Sequence, residues 1–361
     1  MAPDGFDRLT SDRLPGLYIE ADTALAATPD WEVPLLLFKG MMAGTDVDIG
    51  EPISARMAGN LSAIQEIYTA WIGGGRVVRV TAPVELRQPS AGVSVFFSGG
   101  VDSFYSLLKH REEIDNIILI HGFDIPLDNP QSWAEAEKLG RQAAALFGKR
   151  LIIVRTNVHY GQQMPCEWKW YWGPTLAAII HALAPVHHKV YIASSYSYAD
   201  AKPDGSSALT DPLWSSEAVT VVHDGGERRI DKLRAVAAHP DTLRLLRVCW
   251  ENTGRNNCGQ CEKCIRTMLP LLALGVSASE AFPTALTPQT VRELELPIRS
   301  LPFWREIQEL DLPPAYKSAV RSAMSSSEYG LPPRTGYPKR EIKRVLYAGR
   351  AMLRVLRALR H

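Results

Sequence analysis

The sequence predicts a doubly wound α/β fold built on a parallel sheet, and three observations carry that prediction. From Gly92 to about residue 195, apolar runs of strand length alternate with segments whose apolar residues recur at helical spacing. The runs are almost continuous in Val, Ile, Leu and Phe, as expected of strands covered on both faces. At the first strand-to-helix junction stands Ser98-Gly99-Gly100-Val101-Asp102-Ser103, on the side of the sheet where such folds take ligands.

Taken in order, residues 1–88 predict a small α/β region. VPLLLF (33–38) reads as a buried strand. Asn60 reads as the cap of a helix carrying Leu61, Ile64, Ile67 and Trp71 on one face and ending at Gly73-Gly74-Gly75, and RVVRVTAPV (76–84) as a further strand. The main domain, 89–240, begins with the strand VSVFF and a helix opening at Ser103. NIILIHGF (116–123) is the second strand. Ser132 and Glu135 form a capping box for a helix bearing Ala136, Leu139, Ala143 and Leu146. RLIIVRTNV (150–158) is the third strand. Pro174 suits the first turn of a helix that Pro185 stops, and KVYIASS (189–195) is the fourth strand. Right-handed crossovers wind helices onto both faces. The long polar stretch 195–217 leaves a strand end on the ligand side and reads as a substrate cover, or else as a surface excursion. Residues 241–276 hold four cysteines and a helix. Residues 277–361 read as a Pro-punctuated helical region whose last helix begins near Lys339.

At 361 residues the chain is long enough for two domains or one large core, and 46% hydrophobic with 22% charged residues is ordinary for a globular protein. No apolar run approaches the length of a membrane-spanning helix, and the start, MAPDGFDRLTSDRLPG, lacks the pattern of a secretory signal, which points to the cytoplasm. The net charge of +1 conceals an asymmetry. Arg334–His361 carries nine Lys/Arg and one acid, so the remaining residues hold 31 basic against 38 acidic side chains, a balance of −7. An acidic body disfavours a broad nucleic-acid surface. The basic amphipathic tail would suit an acidic protein or RNA partner, or would pack its apolar stripe on its own domain.

A glycine-rich turn between strand and helix lets backbone N–H groups approach an anion, and the helix adds its positive end. Ser98 and Ser103 supply hydroxyls, and Asp102 is a candidate ligand for Mg2+ bridging phosphate oxygens. Neither the Walker pattern nor G-x-G-x-x-G is present at this junction, which disfavours a γ-phosphate-cleaving NTPase and a dinucleotide site. Cys249, Cys258, Cys261 and Cys264 form a C-x8-C-x2-C-x2-C array that can close a tetrahedral Zn2+ site with no open position. An iron–sulfur cluster is the rival.

The Ser98–Ser103 segment matches the SGGxDS signature of the PP-loop ATP pyrophosphatases, and the chain resembles that superfamily. The resemblance implies that the loop holds the pyrophosphate of ATP, that ATP is cleaved between its α and β phosphates, and that a substrate oxygen is adenylated before a nucleophile displaces AMP. Together with the four-cysteine array and Arg266, the match narrows to the 7-cyano-7-deazaguanine synthase branch. That branch implies a zinc-bearing, AMP-forming ligase acting on a small carboxylate or carbonyl substrate such as a deazapurine, with ammonia or an amine as nucleophile. The similarity covers roughly residues 92–275. Residues 1–91 and the region after the cysteines depart from it, so the chain reads as a relative of the synthase rather than the synthase itself.

Lys232 is a candidate catalytic phosphate ligand at a helix start, and otherwise a solvated lysine. His121 and Asp124 stand at the end of the second strand, near a nucleotide or Mg2+, or are simple loop formers. Asp200, Asp204 and Asp211 would face substrate or serve turns. Cys166 would carry sulfur if the chain were an ATP-dependent sulfur transferase, and is otherwise a packing cysteine, while Trp168, Trp170 and Trp172 read as core or pocket wall. A non-catalytic nucleotide-binding partner module is the third functional class.

Overall fold

The computed structural model describes residues 5–160, 164–252, 254–277 and 280–328; the basic tail and the helix expected from Lys339 lie outside them. One seven-stranded sheet organises the chain. Its strands are β1 (Asp7–Ser11), β2 (Leu14–Ala21), β3 (Val93–Phe96), β4 (Asn116–His121), β5 (Arg150–Thr156), β6 (Lys189–Ala193) and β7 (Thr220–Asp224), in spatial order β1-β2-β5-β4-β3-β6-β7. β3 to β7 are mutually parallel, and their order reverses between β3 and β6, the arrangement of a doubly wound sheet. β2 joins antiparallel, with Ile19 opposite Thr156, and β1 closes a hairpin on it.

Helices cover both faces. On one lie α1 (Val33–Ala43), α2 (Ala55–Ile72) and α5 (Trp168–Ala182), sharing an apolar cluster with Phe96, Ile118, Ile152 and Val190. On the other lie α3 (Val101–Lys109), α4 (Pro130–Phe147), α6 (Arg229–Ala237) and α8 (Glu262–Ala273), with α7 (Pro240–Arg244) between the last two. They pack with the alternate strand residues Val95, Ile117 and Tyr191. A third cluster joins Ile265 and Leu269 of α8 to α9 (Pro288–Arg292), α10 (Leu301–Gln308) and α11 (Pro314–Glu328).

Five local expectations need correction. VPLLLF is the start of α1, not a strand. Its Val33, Leu35, Leu36, Leu37 and Phe38 are all buried, so the run carries no period that separates helix from strand. α2 begins at Ala55, capped by the Ser54 hydroxyl, and Asn60 lies within it, donating to the Leu213 carbonyl at 2.8 Å; the helix does end at Gly73. α4 is capped by Asn129, whose side chain accepts from Ser132 N–H, with Pro130 in the first turn, so Ser132 and Glu135 are not a capping box. Pro174 sits inside α5, which starts six residues earlier at Trp168. The strand expected over 76–84 shrinks to two-residue pairings at Val80–Thr81 and Val84–Glu85.

The polar stretch 195–217 divides in two. Its second half is packed: Thr210, Asp211, Trp214, Ser215 and Ser216 are buried. Gly205 N–H donates to the Lys169 carbonyl at 2.7 Å, and a Cβ on Gly173 would stand 1.8 Å from the Gly205 carbonyl oxygen. Backbone thus lies directly on α5. In the first half, Tyr198 N–H donates to the Gly226 carbonyl at 2.9 Å, just beyond the end of β7.

Candidate functional site

β3 delivers the Ser98–Ser103 turn to the point where the strand order reverses. Gly99 takes φ +76°, and a Cβ there would meet Leu139 at 2.9 Å and the Arg247 side chain at 3.2 Å, so both conformation and space require glycine. The Arg247 N–H closes onto the Gly99 carbonyl at 2.7 Å. Ser103 Oγ donates to the Gly100 carbonyl at 3.1 Å, and Ser98 N–H donates to Ser103 Oγ at 3.3 Å. Gly100 caps α3, whose first-turn N–H groups have no partner inside the helix and point to where an anion would lie.

Asp102 and Lys232, expected from sequence, come together here, and Arg229 joins them. Lys232 Nζ lies 3.2 Å from Asp102 Oδ1 and donates to the Ser194 carbonyl, just beyond β6, at 2.6 Å; Arg229 Nη1 donates to Asp102 Oδ2 at 2.8 Å. The Lys232 side chain is 1% exposed. Burial alone would raise the Asp102 pKa, but the Arg229 and Lys232 cations outweigh it and hold the carboxyl below the usual range. Both carboxylate oxygens are engaged by cations, which makes Asp102 a poor fit for a Mg2+ ligand in this arrangement.

Three further cations that sequence reading did not assemble surround this pair. Arg266 is buried, its guanidinium 4.2 Å from the Phe303 ring centroid and 3.4 Å from the Glu262 carboxylate, yet its Nε finds no hydrogen-bond acceptor. Burial lowers its pKa to about 10. Lys263 rests 3.4 Å from the centroid of the Trp250 ring, and burial pushes its ammonium down to about 7 despite nearby Asp124. Arg247, 8% exposed, is likewise lowered by burial. Buried cations without full sets of acceptors are costly in an isolated protein. For Arg229 the available signal was faint, since Arg228-Arg229-Ile230-Asp231-Lys232 shows spacing but not convergence.

The four cysteines also meet. Their sulfurs lie within 4.8 Å of one another, with Cys249–Cys261 at 3.8 Å and Cys258–Cys264 at 3.9 Å. A tetrahedron of thiolates around Zn2+ has edges of about 3.8 Å, so the array fits and could hold a metal ion. Cys258 Sγ accepts from the backbone N–H groups of Gln260 and Cys261, and the neighbouring Cys249, Cys261 and Cys264 thiols hold it far below the ordinary thiol range. Cys249 and Cys264 are buried with Phe97, Val101 and Phe104, so the knuckle is fastened to the loop-bearing strand and helix.

The remaining candidates have local partners. His121 stacks on Trp133 at 4.2 Å, and burial lowers its pKa to about 4. Asp124 is exposed, its backbone carbonyl accepting from Asn252. Asp200 accepts from Ser197 and Asp204 from Trp172 Nε1, while Asp211, fully buried, is bonded to Ser206 and His223. Burial pushes Cys166 up to about 11, the opposite of an activated thiol. Trp168, Trp170 and Trp172 pack against the α5-side core, as expected.

No family model, no curated protein and no solved structure matches this chain. Fold and site therefore define its class on their own: a mixed α/β protein with a mostly parallel seven-stranded sheet and a four-cysteine cluster that could hold a metal ion. Among the described residues no helix is long and apolar enough to cross a membrane.

Proposed function

We propose that the chain is an AMP-forming ligase of the PP-loop ATP pyrophosphatase type. The polyphosphate of ATP lies over the Ser98–Ser103 turn. A carboxylate oxygen of a small acceptor attacks the α-phosphorus, the bond to the bridging oxygen breaks, and pyrophosphate leaves with the electron pair. Ammonia or an amine then attacks the acyl carbon, gives up a proton and displaces AMP, leaving an amide; a nitrile would need a second ATP to activate the amide oxygen.

The observation that carries this reading is the convergence of Arg229 and Lys232 on Asp102, in the first turn of α3 and beside Ser194, at the reversal of the sheet. Phosphate oxygens would take over these two cations from Asp102, and Val101, Asp102 and Ser103 N–H groups would complete the cradle. Fixed positive charge on the leaving pyrophosphate is the main catalytic contribution. No step uses a magnesium ion held by the protein. Zinc in the cysteine knuckle would be structural, since four thiolates leave no position for substrate. Sulfur transfer through Cys166 is disfavoured by its half-buried, high-pKa thiol. A non-catalytic nucleotide module would use the same cations without turnover.

The test follows AMP from α-labelled Mg-ATP with 7-carboxy-7-deazaguanine and then other carboxylates, with and without ammonia, together with product mass. AMP accompanied by an amide or nitrile is expected, and Lys232→Met should slow AMP formation by about 100-fold or more. Failure of every carboxylate to elicit AMP would sink the ligase reading.

A further inference from the structure

The C-terminal region contributes nothing to the central sheet, yet one of its helices reaches into the anion site at three successive points. Glu306 of α10 is buried and spends both carboxylate oxygens on the start of α6: Oε1 accepts from Arg229 N–H at 3.3 Å and Oε2 from Ile230 N–H at 3.0 Å. These are orphan first-turn donors of the helix that presents Arg229 and Lys232. Trp304, fully buried, donates from Nε1 to Glu262 Oε1 at 2.8 Å, and Glu262 is the carboxylate beside Arg266. Between the two, the Phe303 ring lies 4.2 Å from the Arg266 guanidinium and 5.7 Å from that of Arg229, and Tyr196, from the segment after β6, stacks on the same ring at 5.2 Å.

An aromatic face shared by two guanidinium groups fixes them in place without neutralising them. A carboxylate at that position would compete with an incoming anion; a ring does not. Arg266 in particular is 6% exposed and makes no hydrogen bond through Nε, which faces Glu262 Oε1 at 3.4 Å as an ion pair, so stacking on Phe303 and that ion pair together hold it.

We propose that α10 is a positioning element of the anion site: Glu306 fixes the start of α6, and Phe303 aligns Arg229 and Arg266 for an anionic ligand of the polyphosphate class, which would take Arg229 over from Asp102. This rests on the reading of the Ser98–Ser103 turn as a polyphosphate cradle. None of the three residues touches the ligand in this role; they act through Arg229, Lys232 and Arg266.

The experiment titrates the full-length chain and its variants with inorganic tripolyphosphate near neutral pH by calorimetry, with thermal unfolding as the check on folding. Phe303→Leu keeps an apolar side chain but removes the ring, and should weaken binding about five- to tenfold, while Phe303→Tyr should restore it to within about twofold. Glu306→Gln loses one of its two acceptors and should weaken binding by a smaller factor with the fold retained, and it carries the test should Phe303→Leu fail to fold. Tight binding by the unaltered chain that Phe303→Leu and Glu306→Gln leave unchanged would overturn the role of α10 alone. Absence of tripolyphosphate binding by the unaltered chain would overturn the polyphosphate reading and, with it, this role.

Discussion

A lysine ammonium that is 1% exposed persists in a folded protein only while its acceptors stay in place, and Lys232 has two, the Ser194 carbonyl and the Asp102 carboxylate. The trio of Asp102, Arg229 and Lys232 therefore carries stability, whatever anion it meets. Because the Asp102 pKa is held below its unfolded value, the carboxylate's contribution is fully present above about pH 4 and is lost as pH falls through the lowered folded value. Asp102→Asn should cost roughly 2–3 kcal/mol at pH 7, less than a fully buried pair because Asp102 is 21% exposed. In urea unfolding the gap from the unaltered chain should close as the pH drops below about 4; a gap that does not change with pH would show that the charge of Asp102 is irrelevant to folding. Asp102 and Lys232 were legible in the sequence because each sits beside a recognisable helix start. Arg266 was noted only for its place after the cysteine array and Lys263 not at all, since their convergence with Arg229 depends on how α8 and α6 cross and no local spacing encodes that.

At the scale of elements, β3 to β6 and the turn after β3 could be read from near-continuous apolar runs alternating with helix-period segments, the pattern of parallel, doubly covered strands. Of the first 88 residues, α2 and its end at Gly73 could be read, and the rest could not. α1 hides its helical period because it is buried all round, and β1 and β2 show mixed burial as an edge hairpin. The 195–217 stretch was read by its polarity, yet its second half is anchored where Gly173 meets Gly205. Gly173→Ala would force a methyl group into backbone that cannot retract, so a loss of about 3 kcal/mol or more is expected in chemical denaturation. A shift under about 0.5 kcal/mol would mean that the segment moves away freely. The same element-scale reasoning applies to the knuckle. One zinc per chain is expected by mass spectrometry, and Cys264→Ser should lower both metal content and melting temperature. Iron with sulfide in place of zinc would replace the structural-zinc reading with a cluster.

Across the whole molecule, α8 is the member that no single layer owns. Cys264 faces the core beside β3 and α3, Ile265 and Leu269 face the C-terminal helices, and Arg266 faces Phe303. Sulfur cluster, packing contacts and cation are thus spaced within one turn and a half of a single rod. In cellular terms, a metal held by the four cysteines would make the knuckle a gauge as well as a brace. If zinc is that metal, a chain made where it is scarce would lose the brace of α8 and the alignment of Lys263 and Arg266 in the same event, so supply of the metal would set how many copies hold the cation cluster in place rather than how well each copy does so.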